Sequence, residues 1–361
     1  MPGFTTHYLF GLNAFQELKR SELKETIREH HAAYSLGLQG PDLFFYFLPS
    51  YTIRRHNIGS IAHTESTGKF LRHLLDSRKL FQNGLQEKPE VFSFASLGNR
   101  KHFVKTEELR IAEAYIAGFL GHYCLDTQCH PYIYWKTGFQ EKNNRYYGRH
   151  MGLETDIDKE LLRHYRHCLP SGFRQDATIA LTRRQAHTIA AILSYVYGKT
   201  FPRLGVFHIT MHAAIHSIQL GTRFFHDPTG KKKQITEGLE KLLLGHPMLS
   251  TMIPSDTQTV HTDPLNLRKK EWKNPWDASL VSHKNFFEMM GLAQQRYLET
   301  LSRLEQLYGT PFQAPAGKPG TKRQGTPSLP SHPKELVYRN RLLRLLGNHS
   351  YHSGLDAGVP S

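Results

Sequence analysis

The sequence predicts an all-α fold, a multi-helix bundle followed by a flexible C-terminal tail. Three observations point there. Apolar residues recur at helical spacing along most of the chain, as in FLRHLL, and strand-like alternation is nearly absent. Cap residues stand just ahead of several of these stretches. The chain has 361 residues, 39% hydrophobic and 21% charged, an ordinary globular balance with length enough for a sizeable core.

In chain order, Thr6 is placed to cap a first helix carrying Leu9, Phe10 and Phe15. Ser21 is placed to cap a second, with Leu23, Ile27, Ala32 and Tyr34 inward. A third is expected over 59–75, with Phe70, Leu71, Leu74 and Leu75 as its stripe. Residues 77–105 show little period and read as a loop. Thr106 opens a longer helix, TEELRIAEAYIAGFLGHYCLD, which Pro131 is expected to stop. Further helices are expected over 148–167, 183–197, 203–225, 232–244 and 284–307. Residues 311–333 are rich in Pro, Gly, Ser and Lys and read as a disordered linker. The segment ELVYRNRLLRLLG sets Leu342, Leu343, Leu345 and Leu346 beside Arg339, Arg341 and Arg344, which fits a docked terminal helix or a membrane-surface anchor. The expected organisation is a helical domain over 1–310 and a basic linker and tail over 311–361.

No apolar run approaches the roughly 20 residues that span a bilayer. The start, MPGFTTH, has neither a basic region nor a long apolar stretch, so a cytoplasmic location is expected. Cys124, Cys129 and Cys168 form no CxxC pair and read as buried or incidental thiols. A net charge of +15 favours acidic partners: phosphate esters, anionic membrane or nucleic acid. The 23 histidines are more informative, because neutral imidazole is a common zinc ligand.

The chemistry concentrates in HYCLDTQCH. His122 and Asp126 lie four apart, on one helix face, while His130 falls at or past the expected helix end. His150 and Glu154 repeat the one-turn spacing in GRHMGLETD. Asp42 precedes the apolar stretch LFFYFL, either as a helix cap or as a carboxylate that a metal would compensate. His7 and His63 sit on the first and third helices. Singly each is ordinary; together these eight are all nitrogen or oxygen donors of the type zinc accepts. His208, His212 and His216 share a second helix face, where they bind a metal, line a cleft or simply pack.

The order of these residues resembles that of the zinc-dependent phospholipase C family and the related zinc-dependent single-strand nucleases. THYLFGLNAF, FLGHYCLDTQCHP and GRHMGLETDID carry the likeness, over residues 1–165, and it is closest to bacterial members without a leader. The resemblance implies one zinc on Asp42, His63, His122 and Asp126, and a second on His130, His150 and Glu154. It implies a third on Asp126, His7 and the chain's amino terminus, with Pro2, exposed by loss of Met1, in place of the family's tryptophan. The Asp126–His130 gap is shorter than in secreted members, and His56 competes with His63 by position.

The expected function is phosphodiester hydrolysis with two or three Zn2+ ions, on a phospholipid. Zinc lowers the pKa of a bound water from about 15.7 to near 7, making it a nucleophile toward phosphorus. Asp42 is the candidate catalytic base, and Phe44, Phe45 and Tyr51 are candidate exposed contacts to the lipid interface. Glu154 rather than Asp leans toward the phospholipases. The rival readings are a nuclease or nucleotidase on the same scaffold, and a non-catalytic helical module stabilised by metal.

Overall fold

In a computed structural model that describes residues 3–52, 57–87, 103–141, 143, 145–257, 259, 261–309 and 333–358, everything packs around one long helix, α7 (Glu107–Lys136). Nearly every residue from Leu109 to Tyr134 is buried, the signature of a helix enclosed on all sides. Thr106 caps it through Leu109 N. Pro131 does not stop it. Proline only removes one N–H and with it the bond to the carbonyl four residues back, and the surrounding layers hold the helix together.

Ahead of α7 come α1 (Phe4–Glu17), α2 (Glu22–Glu29), α3 (His31–Gly37), α4 (Pro49–Thr52), α5 (Ile58–Thr64) and α6 (Thr67–Asp76). After it come α8 (Tyr146–Arg166), α9 (Gln175–Thr178), α10 (Arg183–Thr200), α11 (His208–Phe225), α12 (Lys231–Leu244), α13 (Phe286–Tyr308) and α14 (Pro333–Leu346). Among the described residues two short antiparallel strand pairs interrupt the helices: β1 (Leu85–Glu87) with β2 (Phe103–Lys105), and β3 (Trp272–Asn274) with β4 (Asp277–Ser282). Three residues per strand in most of them give too little alternation to register in a sequence pattern. The first strand pair lies in the stretch expected to be loop; residues 88–102 and, of the linker expected over 311–333, residues 311–332 are outside the described residues, while Pro333 opens α14.

α3 and α13 pack along α7, with α10 on a further side. The α3 contact is backbone on backbone: a Cβ on Gly118 would lie 2.1 Å from Tyr34 O. Tyr297 of α13 locks the same place, its hydroxyl donating to Ala117 O at 2.8 Å.

Thr6 is not the cap of α1, which starts at Phe4. Its free N–H groups are met from across the fold, where Asp158 of α8 accepts from Thr5 N (2.9 Å) and from Thr6 N (2.7 Å). The helix expected over 59–75 is two, because Ser66 takes a left-handed backbone conformation (φ 54°) between α5 and α6. α14 is docked rather than free: Leu342 and Leu346 are buried, and Arg339 Nη1 lies 2.6 Å from Asp76 Oδ1 of α6. Among the described residues no helix is long and apolar enough to cross a membrane.

Candidate metal centre

The centre is built on one face of α7. His122, Asp126 and His130 follow at four-residue intervals, all fully buried. His130 is therefore inside the helix and not beyond its end, which follows directly from α7 running through Pro131. α1 delivers His7, α5 delivers His63, and α8 delivers His150 and Glu154. Asp42 arrives on a 3-10 turn over Gly40–Phe45. That turn crosses so close above α7 that a Cβ on Gly40 (φ +50°) would lie 2.3 Å from the His122 ring.

Two groups result. In the first, Asp126 stands between three imidazoles: its Oδ1 is 3.2 Å from His7 Nε2, its Oδ2 3.2 Å from His122 Nε2 and 3.5 Å from His63 Nε2. Asp42 Oδ1 lies 3.2 Å from His63 Nε2 and 3.9 Å from His122 Nε2. The donor atoms of His7, His122 and Asp126 fall within 4.8 Å of one another, as do those of Asp42, His63 and His122. In the second group the same holds for His130, His150 and Glu154, with His150 Nε2 2.9 Å from Glu154 Oε1. Pro2 and His56 are outside the described residues.

Hydrogen bonding orients these rings. Nδ1 of His63 meets Gly59 O at 2.7 Å, Nδ1 of His122 meets Leu38 O at 3.1 Å, and Nδ1 of His130 meets Tyr351 O at 2.7 Å. A carbonyl only accepts, so each Nδ1 carries a proton and each Nε2 is the atom turned to the centre, where a metal would take its lone pair. Those three Nε2 atoms are buried without a hydrogen bond, as are both ring nitrogens of His7, both oxygens of Asp126 and Oδ1 of Asp42. A buried polar atom left unsatisfied costs about 1–3 kcal/mol, so a convergent set of this size fits an ion that accepts all the lone pairs. The residues present therefore fit zinc.

The field is set by carboxylates among imidazoles. Burial alone would raise the Asp126 pKa, but His122, His63 and His7 outweigh it and hold the carboxyl well below its ordinary range. Burial likewise works against a charge on His63, yet Asp126 and Asp42 carry it up to about 9. His7 is pushed down, by burial first and then by His122, and stays neutral.

The C-terminal segment beyond α14 supplies contacts absent from the sequence reading. Tyr351 is buried with its ring 5.0 Å from that of His63. His352 stacks on His63 (5.7 Å) and stands edge-on to His130 (5.9 Å), so it bridges the two groups. Burial, with His63 beside it, drives its pKa down to about 2. Nothing in HSYHSG links it by spacing to a helix 220 residues earlier; only two histidines close together near the end of the chain hinted at it. Of the aromatics expected at the surface, Phe44 is fully buried against Tyr197 (5.0 Å) because its turn folds into the core. Phe45 is half-buried, 5.8 Å from His63, and the Tyr51 side chain is outside the described residues.

His208 and His212 of α11 do converge, but with His187 of α10 and without His216. Cys124 and Cys129 are buried in α7, and Cys168 is partly exposed.

Comparison with known proteins bears on residues 6–203, which match the profile of a family described as zinc dependent phospholipase C. No curated protein and no solved structure matches the chain.

Proposed function

The chain belongs to the zinc-dependent phospholipase C family, and from that premise we propose that it hydrolyses the phosphodiester of a phospholipid, releasing diacylglycerol and a phosphorylated head group. The observation that carries this is the set of buried Nε2 and carboxylate atoms left without hydrogen bonds along the His122–Asp126–His130 face. Asp42, His63, His122 and Asp126 would hold one ion, and His130, His150 and Glu154 a second; His7 with Asp126, and Pro2 at the amino terminus, would hold a third. Zinc bound there supplies charge to the phosphate oxygens and acidifies water beside the phosphorus.

The chain's own groups do the rest. The carbonyls of Gly59, Leu38 and Tyr351 fix the tautomers of His63, His122 and His130, so each imidazole presents Nε2. Asp126 balances the positive charge gathered around it. Asp42, whose Oδ1 lies 3.2 Å from His63 Nε2, takes the proton as water attacks phosphorus. Apolar walls from Tyr351, Tyr134 and Phe45 exclude competing water.

The test is elemental analysis of protein purified without chelator, with His122→Ala and Glu154→Ala beside it. Two or three zinc ions in the parent, fewer in each variant, together with release of a phosphorylated head group from phospholipid, supports the reading. A folded parent with one zinc or none removes it, and turnover of nucleotides but not phospholipids moves the substrate to nucleic acid.

A further inference from the structure

Helix α12 is inside out. Its buried residues are Lys233 and Glu240, while Ile235, Leu239, Leu242 and Leu243 form an i, i+4, i+7, i+8 stripe that faces solvent. Leu242 is 81% exposed and Leu243 77%. The inversion is held by a polar lock. Lys233 Nζ donates to Ser250 O (3.1 Å) and Ile253 O (2.7 Å). Glu240 accepts from Met248 N (3.0 Å) and from the Ser250 hydroxyl (2.6 Å). Both charged side chains are thus spent on the turn that follows the helix, and the apolar stripe is left outward. Isolated exposed leucines need no explanation, but a contiguous apolar stripe maintained by buried charges does.

Two further observations identify the occupant. The exposed charged residues from 223 to 249 are Arg223, Lys231, Lys232 and Lys241, all basic, of which Lys241 pairs with the partly exposed Glu237 at 2.6 Å. Phe224 adds to the apolar surface beside them, with Lys232 Nζ 5.7 Å from its ring. The turn after α12 also reaches the metal centre: it presses on the start of α8 so closely that a Cβ on Gly148, two residues before His150, would lie 2.3 Å from Pro247 O. Apolar residues flanked by cations match the acyl boundary and anionic head groups of a bilayer.

We infer that the outward face of α12 is the surface by which this protein docks on anionic phospholipid membrane. The inference rests on the reading that the substrate is a phospholipid. It also moves the membrane contact from α14, whose leucines are partly used in docking to the fold, to α12.

The experiment is cosedimentation of the full chain with vesicles of phosphatidylcholine alone and of phosphatidylcholine with phosphatidylglycerol. Three proteins are compared: the parent, Leu242→Ser/Leu243→Ser, and Lys231→Glu/Lys232→Glu. Turnover of a soluble phosphodiester, bis(p-nitrophenyl) phosphate, is measured in parallel. The parent is expected to pellet with the anionic vesicles, the leucine variant to lose about tenfold or more in partitioning, and the lysine variant to lose the preference for anionic lipid. All three should keep the same soluble turnover. A parent that stays in the supernatant, or variants that partition like the parent, overturns the inference even if soluble turnover is intact. So does a parent that is dimeric by ultracentrifugation and becomes monomeric in the leucine variant, since a second copy then covers the stripe. Absent turnover with intact pelleting sinks the hydrolase reading and leaves the docking surface standing.

Discussion

The backbone carbonyl of Tyr351 accepts a hydrogen bond from His130 Nδ1 at 2.7 Å, tying the C-terminal segment to a residue on the central helix 221 positions earlier. The contact fixes which nitrogen of His130 faces the centre and brings His352 over both ligand groups. Gly354 makes the approach feasible: it has φ +66°, and a Cβ there would lie 2.3 Å from Thr127 O. Gly354→Val should therefore unseat the segment. Zinc transfer to a colorimetric chelator should then be about 10-fold faster or more, the scale on which outer contacts tune metal affinity. An unchanged release rate in a folded variant would mean the segment does not guard the metals.

Asp126 is the charge on which three imidazoles depend. Asp126→Asn removes that compensation from a fully buried site, and loss of one partner in such an arrangement costs about 3–5 kcal/mol. The metal-free variant should show a lower urea midpoint than the metal-free parent, together with fewer bound zinc ions. Equal midpoints would assign the charge balance to other groups.

His63 gives the pH dependence. Its folded pKa, near 9, lies above the ordinary histidine value of 6.5, so its proton stabilises the metal-free fold. That contribution is complete below pH 6.5 and disappears as pH rises through 9. Zinc must displace the same proton, so zinc binding should release protons at pH 7 to 8 and tighten up to about pH 9. Calorimetry in buffers of different ionisation enthalpy measures the release; a binding heat independent of buffer would contradict the assignment.

Gly118→Ala tests whether packing far from the ligands sets the site. The new methyl would meet Tyr34 O at 2.1 Å and push α3 off α7. Overpacking of this kind costs about 1–3 kcal/mol. Because Asp42 follows α3 by five residues, the variant should also lose activity beyond its loss of stability. Full turnover at a temperature where it remains folded would show that Asp42 is positioned independently.

Much of this was legible before any coordinates. His122–Asp126 and His150–Glu154 announce themselves because four-residue spacing on a helix is a local rule, and the helical class follows from the same periodicity. What failed was tertiary. Pro131 looked like a stop because the sequence does not display the layers that hold α7 together. Thr6 looked like a cap because its true partner, Asp158, is 152 residues away. Tyr351 and His352 carry no spacing that ties them to α7, for the same reason. α12 was found as a helix from its apolar spacing, but spacing says only that there is a stripe and not which way it faces; Lys233 and Glu240 decide that.

The length of chain between His7 and His352 has a bearing on biosynthesis. All the candidate ligands of this centre among the described residues lie within the first 154 residues, whereas the segment that closes over them is translated nearly 200 residues later. The helices that bear the ligands therefore leave the ribosome well before the segment that covers them. On the proposed reading, metal loaded in that interval would enter before His352 arrives.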